Sequence, residues 1–227
     1  MKLIHADWSF QLELQEGVVQ RIIVEDPIIF RKMIIDLRCW LAGESDKWVL
    51  SEQGKICNGA KCCEMIIDYF NLDINQRKMI NTLYEEMESI INMSELLVKW
   101  KMISTEIQGV LEDAIDSTGY DITCTEPELK SVFKMTDVRF RDGCQGELEH
   151  LLEYQQLAES VKGIRLFILI NATLFFGKKE MMYIYEQAKY KKYQLLLLDA
   201  QNVEVNQTEE NKLFIDKDCC IIDSSLQ

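Results

Sequence analysis

The sequence predicts an α/β protein: a largely parallel sheet domain, built from both ends of the chain, with a long helical insertion between them. Three observations predict it. Arg165–Ile170 and Gln194–Asp199 are continuous apolar strands of the kind buried on both faces of a parallel sheet. A helical stretch from Lys178 to Lys192 joins them, and strand, crossover helix and strand make a βαβ unit. Between Asn75 and Thr118 there is no proline, and apolar residues return every three or four positions, as on an amphipathic helix.

Each element has its own signal. Trp8, Phe10, Leu12 and Leu14 alternate with polar residues, the period of a half-buried strand, and Gly17 turns the chain into a second strand, Val18–Val24. Asp26-Pro27 reads as a helix start, a capping carboxylate before a proline at the first helical position. Ile28, Ile29, Met33, Ile34, Leu37 and Leu41 continue that helix and Gly43 stops it. Trp48–Leu50 and Cys62–Ile67 are short strand candidates.

The insertion, expected over 75–135, holds two amphipathic helices. One carries Met79, Ile80, Leu83, Met87, Ile90 and Ile91, the other Leu96 to Ile115, with a break at Met93-Ser94. Thr125-Glu126-Pro127-Glu128 fits a capping box for a short helix ending near Met135. Val138–Phe140 reads as a strand, followed by a helix from Gln145 to Ser160 with Leu148, Leu151, Leu152 and Leu157 inward. Asn202–Glu210 is a polar loop, and Phe214-Ile215 with Cys220–Ile222 adds an edge strand. The sheet domain is thus expected over 1–74 and 136–227.

Composition excludes several classes. At 227 residues, 48% hydrophobic and 28% charged, the chain has the make-up of a globular protein. No window approaches the roughly 18 apolar residues of a membrane-spanning helix, and Met1–Phe10 lacks the apolar core of a signal peptide. The eight cysteines are two adjacent pairs, Cys62-Cys63 and Cys219-Cys220, and four scattered residues, with no C-x-x-C. That is the pattern of free thiols in a reduced, cytoplasmic protein rather than of a disulfide framework or zinc knuckle. The net charge of −13 argues against indiscriminate binding to nucleic acid, but leaves room for a local basic surface.

Four constellations bear on chemistry. Leu195–Leu198 ending in Asp199 has the shape of a Walker B strand, yet no G-x-x-x-x-G-K-[ST] loop occurs; Gly54-Lys55 and Gly177-Lys178 are isolated pairs. A degenerate nucleotide-dependent enzyme using Asp199 stays open on these residues alone. Carboxylates crowd at Glu112, Asp113, Asp116, Asp121, Glu126 and Glu128, either a solvated face or a site for a hard divalent cation. Lys99 and Lys101, then Lys130, Lys134, Arg139 and Arg141, then Lys189, Lys191 and Lys192 with Tyr190 and Tyr193 interleaved, could grip phosphates or simply balance acidic neighbours. His150, between Glu149 and Glu153 with no nucleophile nearby in sequence, reads as a surface histidine, and no nucleophile elbow, metal triad or cofactor fingerprint is present.

Several strings, in order, resemble one family. They are Arg21-Ile-Ile-Val-Glu-Asp-Pro27, Leu72-Asp-Ile-Asn-Gln-Arg-Lys-Met79, Leu166-Phe-Ile-Leu-Ile-Asn171, Gly177-Lys-Lys-Glu180, Gln194-Leu-Leu-Leu-Leu-Asp199 and Phe214-Ile-Asp-Lys-Asp218. The chain resembles the short form of the ring-forming CRISPR-associated adaptation proteins of type II-A systems, the second of the Csn series. The resemblance implies a sheet head, similar to nucleotide hydrolases but without their phosphate loop, and a helical leg. It also implies a homotetrameric ring whose lysine-lined hole binds ends of linear double-stranded DNA without sequence preference and without catalysis. Implied partners are the CRISPR integrase and the RNA-guided effector nuclease, during spacer acquisition. It further implies structural calcium near the head–leg junction, where Asp113, Asp116, Asp121, Glu126 and Glu128 fall. It makes Lys99, Lys101, Lys130 and Lys134 the first candidates to line the hole. A protein-interaction scaffold whose long helices bind partner helices, with no affinity for DNA, is the remaining alternative.

Overall fold

The structure is a computed structural model describing residues 1–8, 10–141, 143, 146–205 and 210–223. Ser9, Cys144, Gln145 and residues 206–209, on which parts of the expected first strand, helix start and polar loop fall, lie outside the described residues. The chain forms two compact units, Met1–Asp73 with Gly143–Gln227, and Ile74–Asp142.

The first unit is built on two sheets. β1 (Lys2–His5), β2 (Gln11–Glu13), β4 (Trp48–Glu52) and β5 (Lys55–Cys57) form a small antiparallel sheet in the order β2-β1-β4-β5; β3 (Val19–Val24) belongs to the other. Helix α1 (Pro27–Leu41) and the short α2 (Gly59–Cys62) lead into β6 (Cys63–Ile66).

The second unit contains α3 (Arg77–Asn92), α4 (Leu96–Asp116) and α5 (Leu129–Met135). The first unit resumes with α6 (Glu147–Lys162), β7 (Leu166–Ile170), α7 (Ala172–Phe175), α8 (Lys178–Lys191), β8 (Gln194–Asp199), β9 (Glu210–Ile215) and β10 (Ile221–Asp223).

The larger sheet has the order β10-β9-β3-β8-β7-β6 and is parallel throughout except for the β9–β10 hairpin. Strands β7 and β8 are the near-continuous apolar runs that a doubly covered sheet requires, and β3 between β8 and β9 is buried at all six positions. On one face Ile22, Val24, Leu166, Ile168, Ile170, Leu196 and Leu198 pack with Met33, Leu37 and Trp40 of α1 and with Leu3, Leu12, Trp48 and Leu50 of the small sheet. The alternate residues, Ile23, Phe167, Leu169, Leu195 and Leu197, are also buried; Phe167 meets Tyr193, just beyond α8, with ring centres 4.9 Å apart. α8 packs on β8 and α6 on α8, covering that second face.

α1 begins as its sequence dictates. Pro27 takes the first position, and Asp26 accepts from the N–H of Ile28 at 2.8 Å and of Ile29 at 2.9 Å.

Several expectations are corrected. The first strand shortens to Gln11–Glu13; Phe10 N–H donates to Trp8 O instead of to a neighbouring strand. β1 carried too short a pattern to be anticipated, alternating exposed and buried over four residues. Phe214-Ile215 is not an edge: β9 pairs with β3 and leaves β10 outermost. Leu148, Leu152 and Leu157 are half-exposed and, with Tyr183 and Lys191, line an open groove, because Leu151, Tyr154, Gln155 and Ala158 are the residues of α6 that reach the core. His150 is half-buried rather than on the surface, its Nε2 shielded from solvent.

The second unit has its own core of Tyr84, Leu129 and Phe133, with Ile80, Leu83, Met87, Ile91, Trp100 and Val138 around them. Its helices break at Met93–Glu95, where the spacing places the break. Thr125 is no cap: α5 starts at Leu129 with extended Glu128 as N-cap and no capping side chain. Val138–Phe140 joins no ladder among the described residues. The side chain of Asn75 takes both backbone groups of Phe140, accepting from its N–H at 2.9 Å and donating to its carbonyl at 3.2 Å. Tyr84 OH donates to Val138 O. With those groups satisfied by side chains, no partner strand is needed.

Candidate nucleic-acid interface

The second unit, Ile74–Asp142, holds eight Lys/Arg and thirteen Asp/Glu, so any attraction for phosphate has to come from where individual cations stand. Helix α4 sorts them along its length. Lys99 and Lys101 are exposed in its first half, with no carboxylate between Glu95 and Glu106, while Glu112, Asp113 and Asp116 crowd its last turns. At its C-terminal end this order opposes the helix macrodipole, which disfavours carboxylates in the last turn by about 0.3–1 kcal/mol each.

The cations of this unit also divide by commitment. Lys130, half-buried on α5, pairs with Glu88 at 3.3 Å, and Arg139 pairs with Asp137 at 3.2 Å. Among the described residues Lys99, Lys101, Lys134 and Arg141 are exposed and make no ion pair. A lysine already held by a carboxylate must exchange that partner to meet a phosphate; these four need not.

α4 is unusual in a second respect. Of its 21 residues only Ser104 is buried, and Val98, Met102, Ile103 and Val110 are at least half exposed. A helix with that much apolar surface exposed on one chain has the character of an association surface.

In the first unit, Lys189 and Lys191 lie in the last turn of α8 and Lys192 caps it in the left-handed conformation, φ 62°. Lys189 and Lys192 are exposed, the stem of Lys189 lying against Gly17. Lys191 is half-buried, its Nζ 5.9 Å from the ring centre of Tyr190. Tyr193 is buried and donates to Gln155 at 3.1 Å, so of the two interleaved tyrosines only Tyr190 faces solvent.

The five carboxylates expected to hold calcium are all exposed. Glu126 accepts from Ser104 Oγ at 3.2 Å, and Glu128 is the N-cap of α5. Among the described residues they do not bring three ligand oxygens within 4.8 Å of one another. Calcium takes six to eight oxygens, so the arrangement as folded does not fit the ion. One group does converge, His5, Asp7 and Asp36. It encloses lysines: Lys47 meets both Asp36 oxygens at 3.1 Å, and Lys32 and Lys47 each meet Asp7 at 3.4 Å. The positive charge there is already supplied by the protein.

The end of the sheet where open α/β folds bind ligands is closed by the chain's own side chains. Asp199, at the end of β8, is fully buried and receives Arg21 Nε at 2.7 Å from the neighbouring strand β3. Arg21 also donates to Val203 O at 2.7 Å and to Thr173 Oγ1 at 3.4 Å. Its Nη1 lies 3.9 Å from buried Glu210, which accepts from Tyr185 OH at 2.6 Å and sits 3.0 Å from Lys212. Burial pushes the Asp199 carboxyl upward in pKa, and Arg21 pulls it back. In a Walker B site that carboxylate would face magnesium; here it faces a guanidinium. At the β3–α1 turn, where a phosphate loop would offer free N–H groups, Asp26 occupies two of them and Pro27 has none. Sequence reasoning singled out Asp199 but missed Arg21, because a charged residue inside an apolar strand gives no hint of its partner 178 residues away.

Comparison with known proteins decides the family. The model of the CRISPR-associated protein family Cas_Csn2 matches residues 41–219. The chain belongs to that family. Membership makes it a CRISPR-associated protein with a role in CRISPR adaptation. No curated protein matches it.

Solved structures similar to this Cas_Csn2 chain include the ADP conformation of an ATP-binding cassette of an ABC transporter. That match has 10% identity and a TM-score of 0.45, covering 90% of this chain and 79% of that one. Another is a protein described as an ABC transporter ATP-binding protein from Pyrococcus furiosus, at 9% identity and a TM-score of 0.40, covering 93% and 97%. Likenesses this distant carry nothing about chemistry. No helix among the described residues is long and apolar enough to cross a membrane.

Proposed function

We propose that this protein binds the ends of linear double-stranded DNA, without sequence preference and without catalysis, as a homotetrameric ring during spacer acquisition. The observation that carries the reading is the charge order of α4, with exposed, uncommitted Lys99 and Lys101 in its first half and its carboxylates gathered in its last turns. A polyanion alongside those lysines meets cations that no carboxylate of the chain already holds. Repetition in a closed ring multiplies each lysine into four phosphate contacts, which lets a chain of net charge −13 hold DNA through a segregated interior. The apolar exposure of α4 supports burial against another copy.

The role is non-catalytic in this reading because Arg21 and Asp26 fill the two positions where a nucleotide hydrolase presents magnesium and phosphate. The integrase and the effector nuclease of the same system are the partners this places beside the ring. The test is a gel shift comparing linear duplex with a covalently closed circle over a salt series.

A further inference from the structure

We propose that the groove between α6 and α8 is a docking site for a cationic amphipathic helix of another protein. Both walls are helical stripes that advance one turn at a time: Leu148, Leu152 and Gln156 on α6, and Tyr183, Gln187 and Lys191 on α8. The two helices run in the same direction. Their first turns share one hollow, lined by Glu147 and Glu180, and Leu157 lies with Lys191 in the next. At the helical rise of roughly 1.5 Å per residue the stripes stay side by side for about 12 Å. They enclose about 510 Å³, with buried Tyr193 in the lining, held by its hydrogen bond to Gln155.

The shape of the groove asks for a helix. α6 turns Leu151, Tyr154 and Ala158 to the core and leaves Leu148, Leu152 and Leu157 half-exposed, while Tyr183 on α8 is 46% exposed. Apolar side chains returning every turn on two parallel walls accept the ridge of a third helix, whose anchors recur at the same spacing.

Charge sets the chemistry of the partner. Glu149 and Glu153 stand one turn apart on the α6 side, and Lys191 closes the far end. A helix running opposite to α6 and α8 meets both: cations in its C-terminal half face the two glutamates, and a carboxylate near its N-terminus faces Lys191. Its own macrodipole favours that order, and so does antiparallel stacking on α6 and α8. A second copy of this face would bring the same excess, two carboxylates to one lysine, against its like, and DNA would bring phosphates against it. All the lining residues belong to the first unit, so the proposal does not rest on the cations of α4 or on the DNA reading.

The probe is a fluorescein-labelled peptide of about 14 residues repeating Leu-Lys-Lys-Leu-Leu-Lys-Leu, long enough to hold a helix once docked. Its control is a scrambled peptide of the same composition and charge without a helical stripe. In anisotropy titrations with the full-length protein, the periodic peptide is expected to bind at least about tenfold more tightly than the scrambled one. Leu152→Glu is expected to weaken it by about tenfold or more. Glu149→Gln with Glu153→Gln, which leaves the apolar walls in place, is expected to weaken it by about threefold to tenfold and to flatten its salt dependence. Lys191→Glu exchanges a cation of the groove for a carboxylate and is expected to tighten binding, a gain that misfolding cannot mimic. Glu112→Gln with Asp113→Gln, carboxylates of α4, leaves binding unchanged. The proposal is overturned if the scrambled peptide binds as tightly, if the α6 variants bind like the unaltered protein, or if Lys191→Glu fails to tighten binding. It is also overturned if light scattering shows that Leu152→Glu shrinks the assembly, which would give the groove to a second copy.

Discussion

Arg21 Nε donates to Asp199 Oδ2 at 2.7 Å, with both side chains almost wholly shielded from water. A guanidinium on β3 thereby neutralises the carboxylate at the end of β8. Removing one partner of a buried pair leaves an uncompensated charge, here that of Asp199, while Glu210 keeps Lys212 at 3.0 Å. Arg21→Met should destabilise the protein by about 3–5 kcal/mol in urea or thermal unfolding. Arg21→Met combined with Asp199→Leu should recover part of the loss without conferring nucleotide hydrolysis. Magnesium-dependent hydrolysis that Asp199→Ala abolishes would reinstate the enzyme reading.

Acid should loosen the small sheet before it loosens the rest. The Asp7 N–H donates to His5 Nδ1 at 3.1 Å, so the neutral ring carries its proton on Nε2, facing Asp36 at 3.5 Å. Burial lowers the imidazole pKa from 6.5, against the opposing pull of Asp36 and Asp7. A folded pKa below the unfolded one means stability that is present above 6.5 and lost as pH falls through the folded value. The urea midpoint should drop between about pH 7.5 and pH 5, and drop less in His5→Gln.

Lysines that are free and lysines that are paired should separate in binding assays. Lys99→Ala with Lys101→Ala should weaken DNA binding and flatten the dependence of log K on log salt by about 0.9 per lost phosphate contact. Lys130→Ala, which releases Glu88 from an existing pair, should leave that slope nearer its original value. Equal slopes for the two variants would remove α4 from the interface.

The exposed apolar residues of α4 make a prediction about assembly. Val98→Asp with Met102→Glu places charge on a face that, on one chain, is more than 60% exposed at both positions. Light scattering behind size exclusion should report a smaller assembly, with the far-ultraviolet spectrum unchanged. A tetramer that survives both substitutions would place the subunit contact elsewhere.

The sheet was legible because its strands are extreme. Leu166–Ile170 and Gln194–Asp199 are apolar without interruption, and a run of that length has few other places to go than the middle of a parallel sheet. Asp26-Pro27 and the break at Met93 were equally plain, each being a local signal read by local hydrogen bonds. What stayed hidden depends on pairings that local pattern does not encode. β1 has only Leu3 and His5 on its buried side, and Val138–Phe140 has strand composition but finds the amide of Asn75 instead of a ladder.

The candidate site divides in the same way. The sequence pointed to Lys99, Lys101, Lys130 and Lys134 together only through the family resemblance. Only side-chain positions separate the free cations from Lys130, and only the buried contacts of Arg21 explain what the strand ending in Asp199 is for.

The measurement that bears most directly on the central claim is the gel shift with linear and covalently closed DNA of one sequence, repeated across a salt series. The account predicts a shift of the linear duplex alone, weakening steeply as salt rises and lost when the duplex ends are blocked by bulky caps. Equal binding of the closed circle would contradict threading through a ring, and no binding of either form would contradict the DNA interface and leave a protein-interaction scaffold.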